Sequence, residues 1–279
     1  MSGSLRIRGT HLRWGAQTYL MGIVNVSRDS FSGDGVEDQG AATGRAIAQW
    51  NGGADVIDIG GESTRPGHVP VEEALEIARV VPVISSLRRQ LPNVAISIDT
   101  YKPAVLRAAF EAGADMANSV WGAGDEFLEL VAEFGMPIVA MHNREDTNYD
   151  GSVVDSVLRY LHDCGARATA RGLSRDAIIL DPGIGFGKTA DQNIEVLRAL
   201  ERIVALGFPT MLGASRKSTL GKLTGREPSH RVYGTAATTA LAVKAGIDMV
   251  RVHDVEAARD VVAVADAVVR DWRPVDWTR

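Results

Sequence analysis

Eight short apolar runs, each followed by a longer stretch of helical spacing, leave this chain few ways to fold. The runs fall at 18–26, 55–59, 95–98, 116–118, 138–141, 177–180, 210–213 and 248–252. Between them, segments such as 71–89, 103–112, 153–171, 193–205 and 231–245 carry Ala, Leu, Arg and Glu at helical spacing, with Pro103 where a first helical turn tolerates it. Strands separated by helices pair in parallel, so the pattern predicts a parallel α/β protein. A small element recurs: Gly-Ala-Asp at 53–55 and 113–115, and Gly-Ile-Asp at 246–248. Each glycine suits a helix C-cap, and each triplet leads into an apolar strand. Residues 5–14 alternate apolar and polar around Gly9-Thr10, which predicts a short N-terminal β-hairpin able to plug the bottom of a barrel. A TIM (β/α)8 barrel needs about 250 residues, so one such domain spans residues 1–279. A doubly wound sheet satisfies the same pattern.

The strand ends carry the chemistry. Asn25 closes the first run, and Asp58 lies near the end of the second, followed by Glu62, Thr64 and Arg65. Asp99 ends the third, Asn118 the fourth, Met141-His142 the fifth and Asp181 the sixth. Ser215-Arg216-Lys217 follow the seventh, and Arg251-Val-His253 end the eighth. In a barrel these positions converge on the C-terminal face, where active sites of that fold lie. Arg65, Lys217, Arg251 and His253 are donors suited to an anionic group such as a diphosphate. Asp99, Asn118 and Asp181 supply acceptors and an amide that fit the flat donor edge of an aminopyrimidine-like ring. The implied ligand is heterocyclic at one end and anionic at the other, although the same carboxylates could simply neutralise Lys217 or the arginines. His142 admits either an anion-binding or a packing role.

Gly183-Ile-Gly185-Phe-Gly187-Lys188 lacks the spacing of a phosphate-binding P-loop and follows the sixth strand rather than the first. Taken alone it reads as a tight turn, with Phe186 as packing. Residues 27–35 form a short polar, glycine-bearing segment around Phe31, as a lid would.

Composition narrows the function. A formal charge of −5 argues against non-specific affinity for nucleic acid. The lone Cys164 excludes an internal disulfide and a cysteine-based zinc site; it reads as a packed helical residue, and its solitude fits a reducing cytoplasm. No apolar run reaches the roughly 18 residues of a membrane helix. The amino-terminal residues lack the apolar core of a secretory signal. A soluble cytoplasmic protein with no membrane partner is expected.

Four blocks carry a resemblance: Met21–Ser32, Gly60–Gly67, Asp181–Lys188 and Arg251–Asp254, joined by Asp99-Thr-Tyr-Lys102, Ser215-Arg-Lys217 and Gly234-Thr235. Together they resemble the dihydropteroate synthases, in order along nearly the whole chain. The resemblance implies a TIM barrel, usually a homodimer, in folate biosynthesis. There 4-aminobenzoate joins 6-hydroxymethyl-7,8-dihydropterin diphosphate, giving 7,8-dihydropteroate and diphosphate with Mg²⁺ assisting, and sulfonamides target the enzyme. By position it assigns Asp99, Asn118, Met141, Asp181, Phe186 and Lys217 to the pterin, and Asn25, Arg65, Arg251 and His253 to the diphosphate. Phe31, Thr64, Pro66 and Ser215 would border 4-aminobenzoate, Asn25 would touch the metal, and Asp99, Lys217 and Arg251 would be catalytic. The chain departs from the family pattern at Ser119, where Asp is usual, at Arg28, where Pro is usual, and at Gly33-Asp34, where Asp-Gly is usual. Those departures leave a catalytically silent pterin-binding paralogue as an alternative. A methyltetrahydrofolate:corrinoid methyltransferase would share the Asp–Asn–Asp set without needing the cationic cluster.

Overall fold

A computed structural model of the chain describes residues 3–26, 38–63, 70–275 and 277. It opens with an antiparallel hairpin, β1 (Ser4–Ile7) and β2 (Thr10–Arg13), turning at Arg8-Gly9. Eight parallel strands follow: β3 (Tyr19–Asn25), β4 (Val56–Gly60), β5 (Ala95–Asp99), β6 (Met116–Ser119), β7 (Ile138–Met141), β8 (Ile178–Asp181), β9 (Met211–Leu212) and β10 (Met249–Val252). They pair in the order β8-β7-β6-β5-β4-β3-β10-β9, and a parallel bridge between Leu180 and Thr210 joins the two ends. The sheet is therefore a barrel, and the doubly wound alternative is set aside.

The helices are α1 (Gln39–Asn51), α2 (Glu73–Gln90), α3 (Pro103–Ala112), α4 (Asp125–Glu133), α5 (Val153–Ala170), α6 (Ala190–Arg198), α7 (Leu200–Val204), α8 (Ser218–Thr224), α9 (Val232–Ala245) and α10 (Val255–Val269). The single helix expected over 193–205 is two. A capping box between Thr189 and Gln192 starts α6 earlier, and Ala199 leaves helical geometry before α7 begins. Cys164 is buried in α5, as a packed residue.

Alternation along each strand divides the apolar side chains into two separate cores. Outward residues such as Leu20, Val24, Ile57, Ile59, Ile96, Ile98, Leu180 and Val250 pack beneath the helices. Inward residues Met21, Val56, Ala95, Met116, Val139, Ile179, Met211 and Met249 fill the lower barrel, together with Ile7, Leu12 and Trp14 of the hairpin. Four methionines there suit an irregular space, because their flexible side chains adapt to gaps. Each such buried side chain contributes about 1.5–3 kcal/mol. Trp14 is locked in place by an indole N–H donated to the Asp176 carbonyl at 3.0 Å. The hairpin thus closes the lower end.

The repeated Gly-x-Asp element has a repeated job. Gly53, Gly113 and Gly246 take left-handed φ values of 97°, 109° and 93° as their helices end. The aspartate that follows each accepts a backbone N–H at the start of a neighbouring strand: Asp55 from Leu20, Asp115 from Ile96 and Asp248 from Thr210. These staples fix strand positions at the bottom, and so the height of the polar residues at the top. On the outer surface, the packed helices α9 and α10 leave Tyr233, Leu241, Val264 and Val268 exposed. Among the described residues, no helix is long and apolar enough to cross a membrane.

Candidate active site

Above the apolar layer the inward positions turn polar. Pairing between β3, β4, β5 and β6 sets Asn25, Gly60, Asp99 and Asn118 in one row. Gly60 sits between two functional groups: a Cβ there would lie 3.7 Å from Asp99 Oδ2 and 3.8 Å from Asn25 Oδ1. One layer down, Asp58 is fully buried. Its Oδ2 accepts Arg251 Nε at 2.6 Å and Asn118 Nδ2 at 3.0 Å, while Arg251 Nη2 reaches Asp99 Oδ2 at 2.6 Å. Arg251 from β10 is thus clamped between carboxylates from β4 and β5. The remaining oxygens, Asp58 Oδ1 and Asp99 Oδ1, are buried and have no hydrogen-bond partner among the described residues. A buried acceptor left unpaired costs about 1–3 kcal/mol, so these two atoms favour a ligand that brings N–H groups.

Charge at this centre is poised near neutrality. Burial pushes the Asp99 carboxyl up to about 7, against the pull of Arg251. Burial likewise pushes the Lys217 ammonium down to about 7, against the pull of Asp181. Burial raises Asp181 too, with Lys217 and the Gly183 amide opposing. Lys217 donates to the Ile184 carbonyl, and its Nζ lies 4.2 Å from the centre of the Phe186 ring. Phe186 is therefore half of a cation–π pair as well as packing. Asp181 Oδ1 accepts the Gly183 amide at 2.7 Å, and Gly213 leaves room beside its Oδ2. Met141 is buried in register with Asp181. At the rim, Ser215 Oγ lies 2.9 Å from His253 Nδ1 and accepts its backbone N–H at 3.2 Å.

The structure thus brings Asn25, Asp99, Asn118, Met141, Asp181, Ser215, Lys217, Arg251 and His253 to one end of the barrel. Phe31, Thr64, Arg65 and Pro66, with Arg28 and Gly33-Asp34, lie outside the described residues, as does the segment read as a lid. Ser119, where the resemblance leads one to expect Asp, turns away from the interior: its hydroxyl donates to the Gly122 carbonyl at 2.7 Å, on the face of β6 opposite Asn118. His142 is buried against Lys188 rather than at the mouth, and burial pushes its imidazole down to about 3, with Lys188 adding to the effect.

Asp58 stands among the polar strand ends in the sequence without a role of its own; its even offset from Gly60 within β4 is the signal that it points inward. Nor does the sequence assign a role to a second buried cluster. Lys102 Nζ donates to Glu62 Oε2 at 2.5 Å, Glu76 Oε2 at 2.6 Å and the Val71 carbonyl at 2.6 Å. Glu62 also accepts the Val71 amide at 2.9 Å and the Tyr101 hydroxyl at 3.0 Å. Among the described residues, no group of three or more His, Cys, Asp or Glu side chains could hold a metal ion.

Residues 21–253 match the model of a family described as pterin binding enzyme. The chain is 41% identical over 270 residues to a dihydropteroate synthase of Clostridium beijerinckii, an alignment covering 95% of this chain and 100% of that one. A solved dihydropteroate synthase from Clostridium difficile in the presence of pteroic acid superposes with a TM-score of 0.87 at 43% identity, over 92% of this chain and 98% of the other. The Xanthomonas albilineans dihydropteroate synthase with 4-aminobenzoic acid gives 0.89 at 39% identity, over 98% and 100%. With this barrel, this polar end and these relatives, the chain belongs to the dihydropteroate synthase family of pterin-binding enzymes.

Proposed function

We propose that the polar end of this barrel joins 6-hydroxymethyl-7,8-dihydropterin diphosphate to 4-aminobenzoate, releasing diphosphate and 7,8-dihydropteroate. The observation that carries the reading is Arg251 held between Asp58 and Asp99, with unpaired carboxylate oxygens buried beside it. A flat heterocycle with N–H donors fits those oxygens, and a cation beside them fits a departing diphosphate. Related synthases crystallised with pteroic acid and with 4-aminobenzoic acid support the same substrate pair.

In this reading Asp99, Asn118, Asp181 and Lys217 hold the pterin edge, with Met141 and Phe186 as its walls. Two donors of the Arg251 guanidinium bind Asp58 and Asp99, and its remaining N–H groups face the diphosphate together with His253, Arg65 and Asn25. As the C–O bond breaks, its electron pair leaves on diphosphate, and these donors stabilise the developing charge. Asp99 offsets positive charge growing on the pterin methylene. The aminobenzoate nitrogen then forms the new C–N bond and loses a proton to solvent. Phe31, Thr64, Pro66 and Ser215 border that amine's ring, where a sulfonamide competes.

Mg²⁺ fits as a partner of the diphosphate. Protein sites for this ion commonly supply one or two oxygens and leave the rest to phosphate and water, and the Asn25 amide oxygen at the top of β3 is such a donor. The ion would supply positive charge to the leaving group. The apolar stripes of α9 and α10, with Tyr233 85% and Val268 82% exposed, support a homodimer through that face. A single unpaired cysteine supports a cytoplasmic setting.

The test is turnover: purified protein with Mg²⁺ and both substrates should release dihydropteroate and diphosphate in equal amounts, and Lys217→Ala should abolish the reaction. Binding of the dihydropterin diphosphate without product would leave a silent pterin-binding protein instead.

A further inference from the structure

We propose that Lys188 is a positioning residue for the pterin wall, its ammonium tying down from behind the loop that presents Ile184 and Phe186 to Lys217. The inference rests on the assignment of Phe186 and Lys217 to the pterin. Lys188 is buried and donates to the Gly183 carbonyl at 2.9 Å and the Phe186 carbonyl at 3.0 Å, while its Nζ lies 2.8 Å from His142 Nδ1. Three acceptors match the three N–H bonds of an ammonium, which leaves none to point at substrate. His142 accepts this bond in the tautomer that carries its proton on Nε2, and its ring is held against Tyr160 and Tyr149.

The loop needs such a tie. Gly183, Gly185 and Gly187 all have left-handed φ values, of 68°, 83° and 55°, so regular secondary structure cannot hold them. A Cβ at Gly183 would collide with the His142 carbonyl, and one at Gly185 would lie 2.9 Å from Lys217 Cδ. Elsewhere the loop is held by the Gly183 amide on Asp181 Oδ1 at 2.7 Å, the Phe186 amide on the Gly183 carbonyl at 3.2 Å, Asn193 on the Gly185 amide at 2.7 Å and the Lys188 carbonyl at 3.4 Å, and the Tyr149 hydroxyl on the Gly187 carbonyl at 2.7 Å. Lys188 is the side chain that grips the loop at both Gly183 and Phe186, across the turn that the Phe186 amide closes. Between those two grips lies the Ile184 carbonyl that accepts Lys217, and at the second grip is the ring beneath the Lys217 ammonium. A loosened loop therefore misplaces the pterin's cation while leaving the aminobenzoate rim alone.

Lys188→Met tests this with two readouts. Calorimetric titration with 6-hydroxymethyl-7,8-dihydropterin diphosphate should show a Kd about tenfold higher or more. The KM for 4-aminobenzoate at saturating pterin should stay within about twofold of the unsubstituted value. Amide exchange in the ligand-free protein should quicken at Gly185 and Phe186 with the barrel strands unchanged. If Lys188→Met does not fold, His142→Leu removes one acceptor of the three and should raise Kd about two- to fivefold. An unchanged Kd overturns the proposal, as do parallel losses for both substrates with exchange rising throughout the barrel. Should the unsubstituted protein have no affinity for the dihydropterin, the functional reading fails, and exchange still decides the loop. Quickening confined to 183–187 supports the tie, and unchanged exchange refutes it.

Discussion

Two buried charge clusters lie a few residues apart along the chain at the top of β5, and they are finished differently. Around Lys102, the three ammonium hydrogens go to Glu62, Glu76 and the Val71 carbonyl, and Glu62 collects the Tyr101 hydroxyl and the Val71 amide besides. Around Arg251, two buried carboxylates each keep an oxygen with no partner. The first arrangement is closed within the protein and pins both flanks of the segment between Glu62 and Val71. The second leaves acceptors that the described residues do not satisfy. Buried polar groups are ordinarily satisfied, so the contrast sets a cluster that is satisfied internally against one to which the proposed function brings donors.

Substitution should separate them most sharply. Arg251→Ala is expected to lower kcat/KM by about 10³-fold in a diphosphate-release assay, since it removes the charge that meets the leaving group. A loss below tenfold would erase the distinction. Lys102→Met should act on stability: stripping the cation from a buried pair costs about 3–5 kcal/mol of unfolding free energy, read by urea denaturation. For the fraction that folds, kcat should remain within about threefold. A selective fall in kcat with unchanged stability would place Lys102 with the binding cluster instead.

The clusters should also answer pH differently. On the proposed reading pterin binding needs Asp99 ionised, which happens as pH rises through about 7, and Lys217 protonated, which is lost as pH rises through about 7. The kcat/KM for the dihydropterin diphosphate should therefore be bell-shaped with its maximum near pH 7. Stability runs the other way in the ligand-free protein. The raised Asp99 contributes stability at low pH that is lost as pH rises through about 7. The depressed Lys217 contributes stability at high pH that is lost as pH falls through about 7. Their joint contribution is least where binding is best. In the closed cluster, burial alone would raise Glu62 and lower Lys102, but their mutual hydrogen bonds reverse both. Stability from Glu62 is thus lost only toward acid and that from Lys102 only toward alkali, with neither turning over near neutrality. A monotonic kcat/KM profile between pH 6 and 8 would break this part of the comparison.

The architecture was legible because period and punctuation are local. The alternation of 5–14 specifies the hairpin, and Gly53, Gly113 and Gly246 mark helix ends by a backbone need that sequence displays directly. The meeting of polar strand ends was legible as well, since parallel strands bring them to one face whatever the register. Partner choice was not. Arg251 lies 193 residues from Asp58, and only the register of β10, β3, β4 and β5 decides that it bonds Asp58 and Asp99 rather than Asp181. The same holds for Lys188, whose acceptors are two loop carbonyls and an imidazole. The break at Ala199 had no breaker residue to announce it. Even the departure at Ser119 needed the pleat of β6 to show that its side chain turns away from the interior.

The hairpin that fills the lower barrel has a consequence for traffic. With Ile7, Leu12 and Trp14 packed into that end, the barrel is a blind tube with a single mouth. On the proposed reading the carboxylates lie deeper than Ser215 and His253, so the pterin is expected to enter before the aminobenzoate and to be held while the aminobenzoate is bound: the order of entry and exit would follow from which end is shut.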